Sequence, residues 1–147
     1  MIPLPTWMRR ALYATAVMNI LAAGGFVPAA SPIRALLGFP ETAHPLYLLT
    51  IGMFILTFGL GYLWAAVAGR AERLFITLAA GGKLTFFTLL AGCWAAGTVP
   101  LRLPLVGAGD LVFGVLFVVW LLGVRDVASD DVRPAVPAGV PASRARG

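Results

Sequence analysis

Residues 46–68 read LYLLTIGMFILTFGLGYLWAAVA and contain no charged side chain. A helix needs about 20 predominantly apolar residues to cross the hydrocarbon core of a bilayer, so this stretch predicts a membrane-spanning helix. Because lipid offers no hydrogen-bond partners, a helix that bonds its own backbone is the natural structure for such a crossing. The stretch therefore predicts an all-α membrane protein.

Three more apolar runs accompany this stretch. Residues 11–30 are uncharged, residues 74–99 contain only Lys83, and residues 103–124 contain only Asp110. Short connections join the later runs, so consecutive helices are expected to be antiparallel neighbours. We therefore predict a four-transmembrane-helix antiparallel bundle within residues 1–125, with helices at about 11–30, 46–68, 74–99 and 103–124.

The composition agrees with a membrane location and argues against nucleic-acid binding. Of 147 residues, 60% are hydrophobic and only 12% are charged, about half the charged fraction of a soluble domain. The net charge is +5, but the basic residues form no patch of the kind that binds nucleic acid. The lipid bilayer is therefore the expected environment, and nucleic acid is not an expected partner.

The two segments outside the four runs have different characters. In residues 31–45, Ser31 suits a helix N-cap, Pro32 the first helical position and Gly38 the residue after the last turn. We predict here a short interfacial helix that lies on the membrane surface between the first two crossings. Residues 126–147 are rich in proline and are predicted to form a disordered cytoplasmic tail.

The arginines are distributed unevenly between the two sides of this arrangement. Only Arg34 and Arg102 fall on the far side. Positive charge accumulates on the cytoplasmic side of membrane proteins, so both termini are predicted to be cytoplasmic. The arginines on the side of the N-terminus are Arg9, Arg10, Arg70, Arg73, Arg125, Arg133, Arg144 and Arg146.

Residues 1–30 have a second interpretation as a cleavable signal peptide. Arg9 and Arg10 precede the apolar run, and the sequence VPAAS at positions 27–31 lies at its end. The run is longer than the apolar region of about 7–15 residues that signal peptides carry. Asn19 in its middle also fits a packed helix better, so a retained spanning helix is favoured.

Two charged residues are expected at membrane depth, Lys83 and Asp110. A charge there costs about 2.5–3.5 kcal/mol on insertion scales, so such residues usually face other helices and pair. With a rise of about 1.5 Å per residue, Lys83 lies about 13 Å and Asp110 about 21 Å from the cytoplasmic face. A lysine side chain spans most of that difference, so the two are predicted to pair.

Asn19 and Thr57 fall at a similar depth, about 12–14 Å from the same face. We expect Asn19, Thr57, Lys83 and Asp110 to converge on one buried polar centre, which is the candidate ligand-binding site. The favoured interpretation is that this centre holds the helices together. Intramembrane ionisable residues are also candidates for function, and the two roles are compatible.

No other constellation in the sequence predicts chemistry. Catalytic residues are not expected, because no paired carboxylates and no Ser-His-Asp set are visible. His44 and Glu41 are too few for a metal site, which usually has three or four ligands. Cys93 has no second cysteine to pair with, and its apolar surroundings favour a small buried hydrophobe. No cofactor is expected.

The order of several motifs resembles the DoxX-like superfamily of small four-helix bacterial membrane proteins. The motifs, spread over residues 9–124, are Arg9-Arg10, PLYL at 45–48, IGMFILTFG at 51–59, GKLTFF at 82–87 and GDLVFG at 109–114. The resemblance implies a multi-pass protein of the bacterial plasma (inner) membrane. Many members carry a carboxylate in the second helix, where this chain has none, so no functional residue is carried over.

Named members of that family include a subunit of a thiosulfate:quinone oxidoreductase and a membrane partner in a redox-stress complex. The resemblance therefore implies a link to membrane redox systems. We expect a non-catalytic subunit or scaffold, with a membrane protein or a second copy as partner. The alternative is a small transporter or binder of a lipophilic molecule that uses the Lys83–Asp110 centre. An enzyme acting on a quinone or lipid ranks last.

Overall fold

A computed structural model of the chain describes residues 1–40 and 44–130, with side chains up to Val124 in the last helix. The described residues are mostly helical, at 81%, as the sequence predicts. A single 3-10 turn, Pro28–Ala30, precedes the second helix. The helices are α1 (Thr6–Gly24), α2 (Ser31–Leu37), α3 (Pro45–Ala68), α4 (Arg73–Ala95), α5 (Arg102–Val106) and α6 (Ala108–Asp130).

Two of these helices, α3 and α4, are each long and apolar enough to cross a membrane. A third candidate is α1 together with the segment Pro28–Leu37, which pass the same test as a pair but are bent by 94°. The apolar part of α6, Ala108–Val124, is shorter than a full crossing. Two to three helices able to cross a bilayer are the pattern of a membrane protein.

The first apolar run does not form one straight helix over residues 11–30. Helix α1 begins at Thr6 and ends at Gly24, and the chain then turns sharply before Pro28. A residue before proline is held in extended backbone, and Val27 is extended. The predicted short helix is present as α2, and it ends at Gly38, whose φ of +87° is the left-handed conformation of a helix C-terminus.

The other predicted boundaries also shift. The third run ends as helix at Ala95, and the fourth is divided at Gly107 into α5 and α6. A Cβ atom at Gly107 would lie 2.6 Å from a methyl carbon of Leu90, so Leu90 of α4 packs closely against this break. The predicted tail begins later than residue 126, because α6 continues to Asp130. Residues 131–147 lie outside the described residues.

The long helices pack mainly in two pairs, α1 with α3 and α4 with α6, and α1 also contacts α6. Glycines allow these close approaches, as expected for helices in lipid. A Cβ atom at Gly59 would lie 3.1 Å from Asn19 Cβ, and one at Gly114 would lie 2.8 Å from Leu84 Cγ.

The apolar core lies at the end of the molecule where α1 and α4 begin and α3 ends, which we call the core end. There the N-terminal residues Ile2–Pro3 pair antiparallel with Arg70–Ala71, the connection between α3 and α4. The buried side chains come from α1, α3, α4 and α6, and they include Met8, Leu12, Ala16, Tyr62, Ala66, Ile76, Ala79, Phe117 and Trp120.

Candidate functional site

Lys83 lies near the middle of α4 and points between the helices. Its side chain is 5% exposed. The ammonium Nζ donates one hydrogen bond of 2.5 Å to Asp110 Oδ1 on α6 and another of 3.2 Å to Asn19 Oδ1 on α1. The ammonium therefore links three helices.

Asn19 extends this link to α3. Its carboxamide Nδ2 donates a hydrogen bond of 3.3 Å to the backbone oxygen of Ile55. That oxygen lies one helical turn before Gly59, where the missing side chain lets Asn19 approach, and a carbonyl oxygen has two lone pairs, so it can accept a second bond. We call Asn19, Lys83, Asp110 and the Ile55 carbonyl the polar clasp, which joins α1, α3, α4 and α6.

The position of Asp110 favours its negative charge. It lies in the first turn of α6, where the helix dipole stabilises an anion. The break at Gly107 creates this helix start in the interior of the apolar run. The Asp110 side chain keeps 19% of its surface exposed, so the carboxylate is the least enclosed charged group of the clasp.

Two aromatic rings surround the ammonium. Lys83 Nζ lies 5.6 Å from the ring centre of Tyr62 and 5.9 Å from that of Phe113. A cation over an aromatic face within about 6 Å is attracted by the ring electrons. Sequence reasoning did not assign these rings to the site, although Tyr62 lies three residues after Gly59 and so shares its helix face.

Thr57 does not join the other predicted residues. Its side chain is exposed, and its hydroxyl donates a 2.8 Å hydrogen bond to the backbone oxygen of Met53 within α3. Successive residues turn by about 100°, so Thr57 is about 200° away from Ile55 and points to the opposite side of α3. Thr50, seven residues earlier on the same face of α3, bonds in the same way to Leu46. The structure thus brings together Asn19, Lys83 and Asp110.

Two other residues singled out by sequence have local surroundings. His44 precedes α3, and its Nδ1 accepts a 3.2 Å hydrogen bond from the backbone N–H of Leu46, which caps the helix. Cys93 is half-buried. Within residues 1–40 and 44–130, no group of three His, Cys, Asp or Glu side chains is placed to hold a metal ion. Glu41 lies outside the described residues.

Two arginines have structural roles that sequence reasoning missed. Arg34, 9% exposed, donates to the backbone oxygens of Gly25 at 2.8 Å and Val27 at 2.7 Å, and so holds the bend after α1. Arg9 donates through Nε to the backbone oxygen of Ala66 at 2.6 Å, near the C-terminus of α3. In the sequence these arginines stood out only by their positive charge, which was interpreted as an indicator of membrane topology.

No protein-family model matches the chain, and no curated protein or solved structure matches it. Interpretation of the site therefore depends on its own geometry.

Proposed function

We propose that this chain crosses the bacterial plasma membrane four times and acts as a non-catalytic integral membrane subunit or scaffold. The crossings are α1, α3, α4 and the pair α5–α6, with both termini on the cytoplasmic side. The polar clasp carries this proposal. It connects all four crossings and leaves neither buried charge unpaired.

The clasp supports four crossings because of where its members lie. Lys83 and Ile55 belong to the middle parts of α4 and α3, the two helices long and apolar enough to cross a bilayer singly. Asn19 and Asp110 contact these middle parts. If α3 and α4 cross the bilayer, then α1 and α6 reach the same depth.

The bonding of the clasp supports a structural role. An isolated charge at membrane depth costs about 2.5–3.5 kcal/mol, and pairing reduces this cost. Lys83 has a carboxylate, an amide oxygen and two aromatic rings around it. A lysine whose ammonium bonds to two other helices is suited to holding helices in register. The resemblance to the DoxX-like superfamily supports a partner from a membrane redox system.

The topology is tested by cysteine labelling of the full chain in a Cys93→Ala background. Arg70→Cys lies in the connection at the core end, and Thr98→Cys lies in the connection at the opposite end. A membrane-impermeant maleimide added to intact cells should label Thr98→Cys at once, and Arg70→Cys only after permeabilisation. Equal labelling of both, or the reverse order, contradicts the proposed orientation.

The scaffold role is tested by purification of the full chain from bacterial membranes in a mild detergent. We expect a membrane protein partner in stoichiometric amount, identified by mass spectrometry after mild cross-linking. Thr57→Val, a change on the exposed side of α3, is the matched control for the effect of an altered surface on partner recovery. Recovery of the chain alone from both the parent protein and Thr57→Val contradicts a subunit or scaffold role.

A second candidate function is the binding or transport of a lipophilic molecule. One observation favours it: the Asp110 side chain is 19% exposed, so its carboxylate is accessible to a ligand. In that case Lys83→Met should abolish binding or flux while the protein still inserts and folds. Loss of folding alone favours the purely structural role.

A further inference from the structure

Thr15 is a buried polar residue that the clasp does not use. It lies on α1 four residues before Asn19, and its side chain is 0% exposed. Its hydroxyl has no hydrogen-bond partner among the residues that the structure describes. Buried polar groups are almost always hydrogen-bonded, to protein or to ordered water, so this hydroxyl requires a partner.

Four other helical threonines bond to the backbone of their own helix, and Thr15 differs from them. A threonine inside a helix commonly donates to the carbonyl oxygen four residues earlier. Four threonines of this chain do so, at distances between 2.8 and 3.0 Å, and Thr15 does not. Its hydroxyl is therefore available to a partner away from its own backbone. The four are Thr50, Thr57, Thr77 and Thr88.

Helix geometry directs Thr15 towards the clasp. Residues four apart differ by only about 40° around a helix axis, so Thr15 and Asn19 share one face of α1. Their Cβ atoms are expected to be about 5–6 Å apart. Two consecutive hydrogen bonds of about 2.8 Å cover such a distance. One water molecule between the Thr15 and Asn19 side chains fits this spacing.

The ammonium of Lys83 supplies a second partner. A lysine ammonium has three N–H donors. Two are directed to Asp110 and Asn19, and the third has the faces of Tyr62 and Phe113 as its neighbours. A water oxygen is a better acceptor for this third N–H than an aromatic face. Buried waters typically make about three hydrogen bonds, which Lys83, Thr15 and Asn19 can provide.

We propose that the clasp contains an internal water site between Thr15 and Lys83. The water accepts from the Lys83 ammonium, exchanges a hydrogen bond with the Thr15 hydroxyl, and donates to Asn19 Oδ1. Leu12 and Ala16, both buried on the same helix, flank Thr15 with apolar surface, which suits a small neutral ligand. The inference rests on the clasp geometry and not on the scaffold role, so the partner experiment does not bear on it.

The test uses the full chain, purified and reconstituted, with a near-isosteric substitution. Thr15→Val keeps the side-chain shape and removes the hydroxyl. If the hydroxyl holds a water, the water loses a partner, and the Tm should fall by several degrees. Thr15→Ser keeps the hydroxyl, so its Tm should fall less. Thr57→Val, which removes a hydroxyl bonded within its own helix, is the control and should change the Tm little.

A measurement on the unmodified protein keeps the test independent of folding. Water-to-protein magnetisation transfer in solid-state NMR should reach the Thr15 side chain as early as it reaches residues at the lipid–water boundary. A higher Tm for Thr15→Val, as expected when an unsatisfied hydroxyl is removed, overturns the proposal. Absence of early transfer to Thr15 in the unmodified protein also overturns it.

Discussion

Lys83 and Asp110 lie 27 positions apart on different helices, yet their Nζ and Oδ1 atoms are 2.5 Å apart. This ion pair joins α4 to α6 at a level where both helices are surrounded by apolar residues. Each charge depends on the other, because a buried charge without its partner is strongly unfavourable. The helix packing is therefore expected to be sensitive to the loss of either charge.

We predict that Lys83→Met destabilises the protein by about 3–5 kcal/mol, the range for breaking a buried ion pair from one side. The substitution leaves the partly buried Asp110 carboxylate without its cation, and it also removes the donor to Asn19. The free energy of unfolding in mixed micelles, measured by titration with a denaturing detergent, gives the change directly.

The double variant Lys83→Met with Asp110→Leu is the control for this prediction. It removes both charges, and apolar replacement of a whole buried pair is often neutral. We expect the double variant to be more stable than Lys83→Met alone. A double variant that is as unstable as the sum of the two single variants would show that the ion pair does not couple the helices.

The sequence indicated which residues could reach one another along the helices, but not which face of its helix each one occupies. The rise per residue gave similar levels for Lys83, Asn19 and Thr57 and placed Asp110 within reach of the lysine side chain, and three of these four residues meet. Thr57 fails because it points to the opposite side of α3, where its hydroxyl bonds to its own helix. Depth alone does not distinguish the two sides of α3.

The ends of the helices also could not be predicted from hydropathy. The bend after Gly24 and the break at Gly107 both fall inside apolar runs, where glycine and proline change the apolar character very little. Arg34 holds the bend through contacts with the backbone, and Leu90 of α4 packs closely against the break at Gly107. These are tertiary contacts that the sequence pattern does not contain.

Gly59 allows a close approach of α1 and α3, so we predict that Gly59→Val separates these helices. A Cβ atom there would lie 3.1 Å from Asn19 Cβ and 3.2 Å from Ile20 Cγ1, and the larger valine adds two methyl groups. Overpacking of this kind costs about 1–3 kcal/mol. The Tm should fall by several degrees.

Gly81→Val is the matched control, because the space around Gly81 is open. The same substitution in α4 should leave the Tm unchanged or slightly higher, since valine is a better helix former than glycine. Equal losses at Gly59 and Gly81 would mean that the substitution acts through the helix backbone and not through helix packing.

Arg34 should be required for the bend between α1 and α2. Arg34→Met removes two hydrogen bonds to backbone oxygens at the bend. We predict a loss of fixed geometry there, since hydrogen bonds from charged groups contribute about 1.5–3 kcal/mol. Spin labels at Leu21 and Leu36, both exposed, report the geometry in a Cys93→Ala background.

The expected result is a narrow distance distribution between the two labels in the parent protein and a broad one in Arg34→Met. Ile33→Met changes the neighbouring, exposed residue and should keep the narrow distribution. If Arg34→Met also keeps it, the bend is maintained by the Gly24–Pro28 backbone alone.

Arg9 and Arg10 should differ in their effect on stability although both are exposed arginines of α1. Arg9 donates to the backbone oxygens of Ala66 at 2.6 Å and Val67 at 3.5 Å, near the end of α3. There the last carbonyl groups lack partners within the helix, and a cation also interacts favourably with the helix dipole. Arg9→Met should therefore lower stability by about 1 kcal/mol, measured by the same detergent titration.

Arg10→Met should change stability less, since no hydrogen bond from Arg10 is present in the described part of the chain. A larger loss for Arg10→Met would instead indicate that charge density at this end of the helix, and not the contact with α3, determines stability.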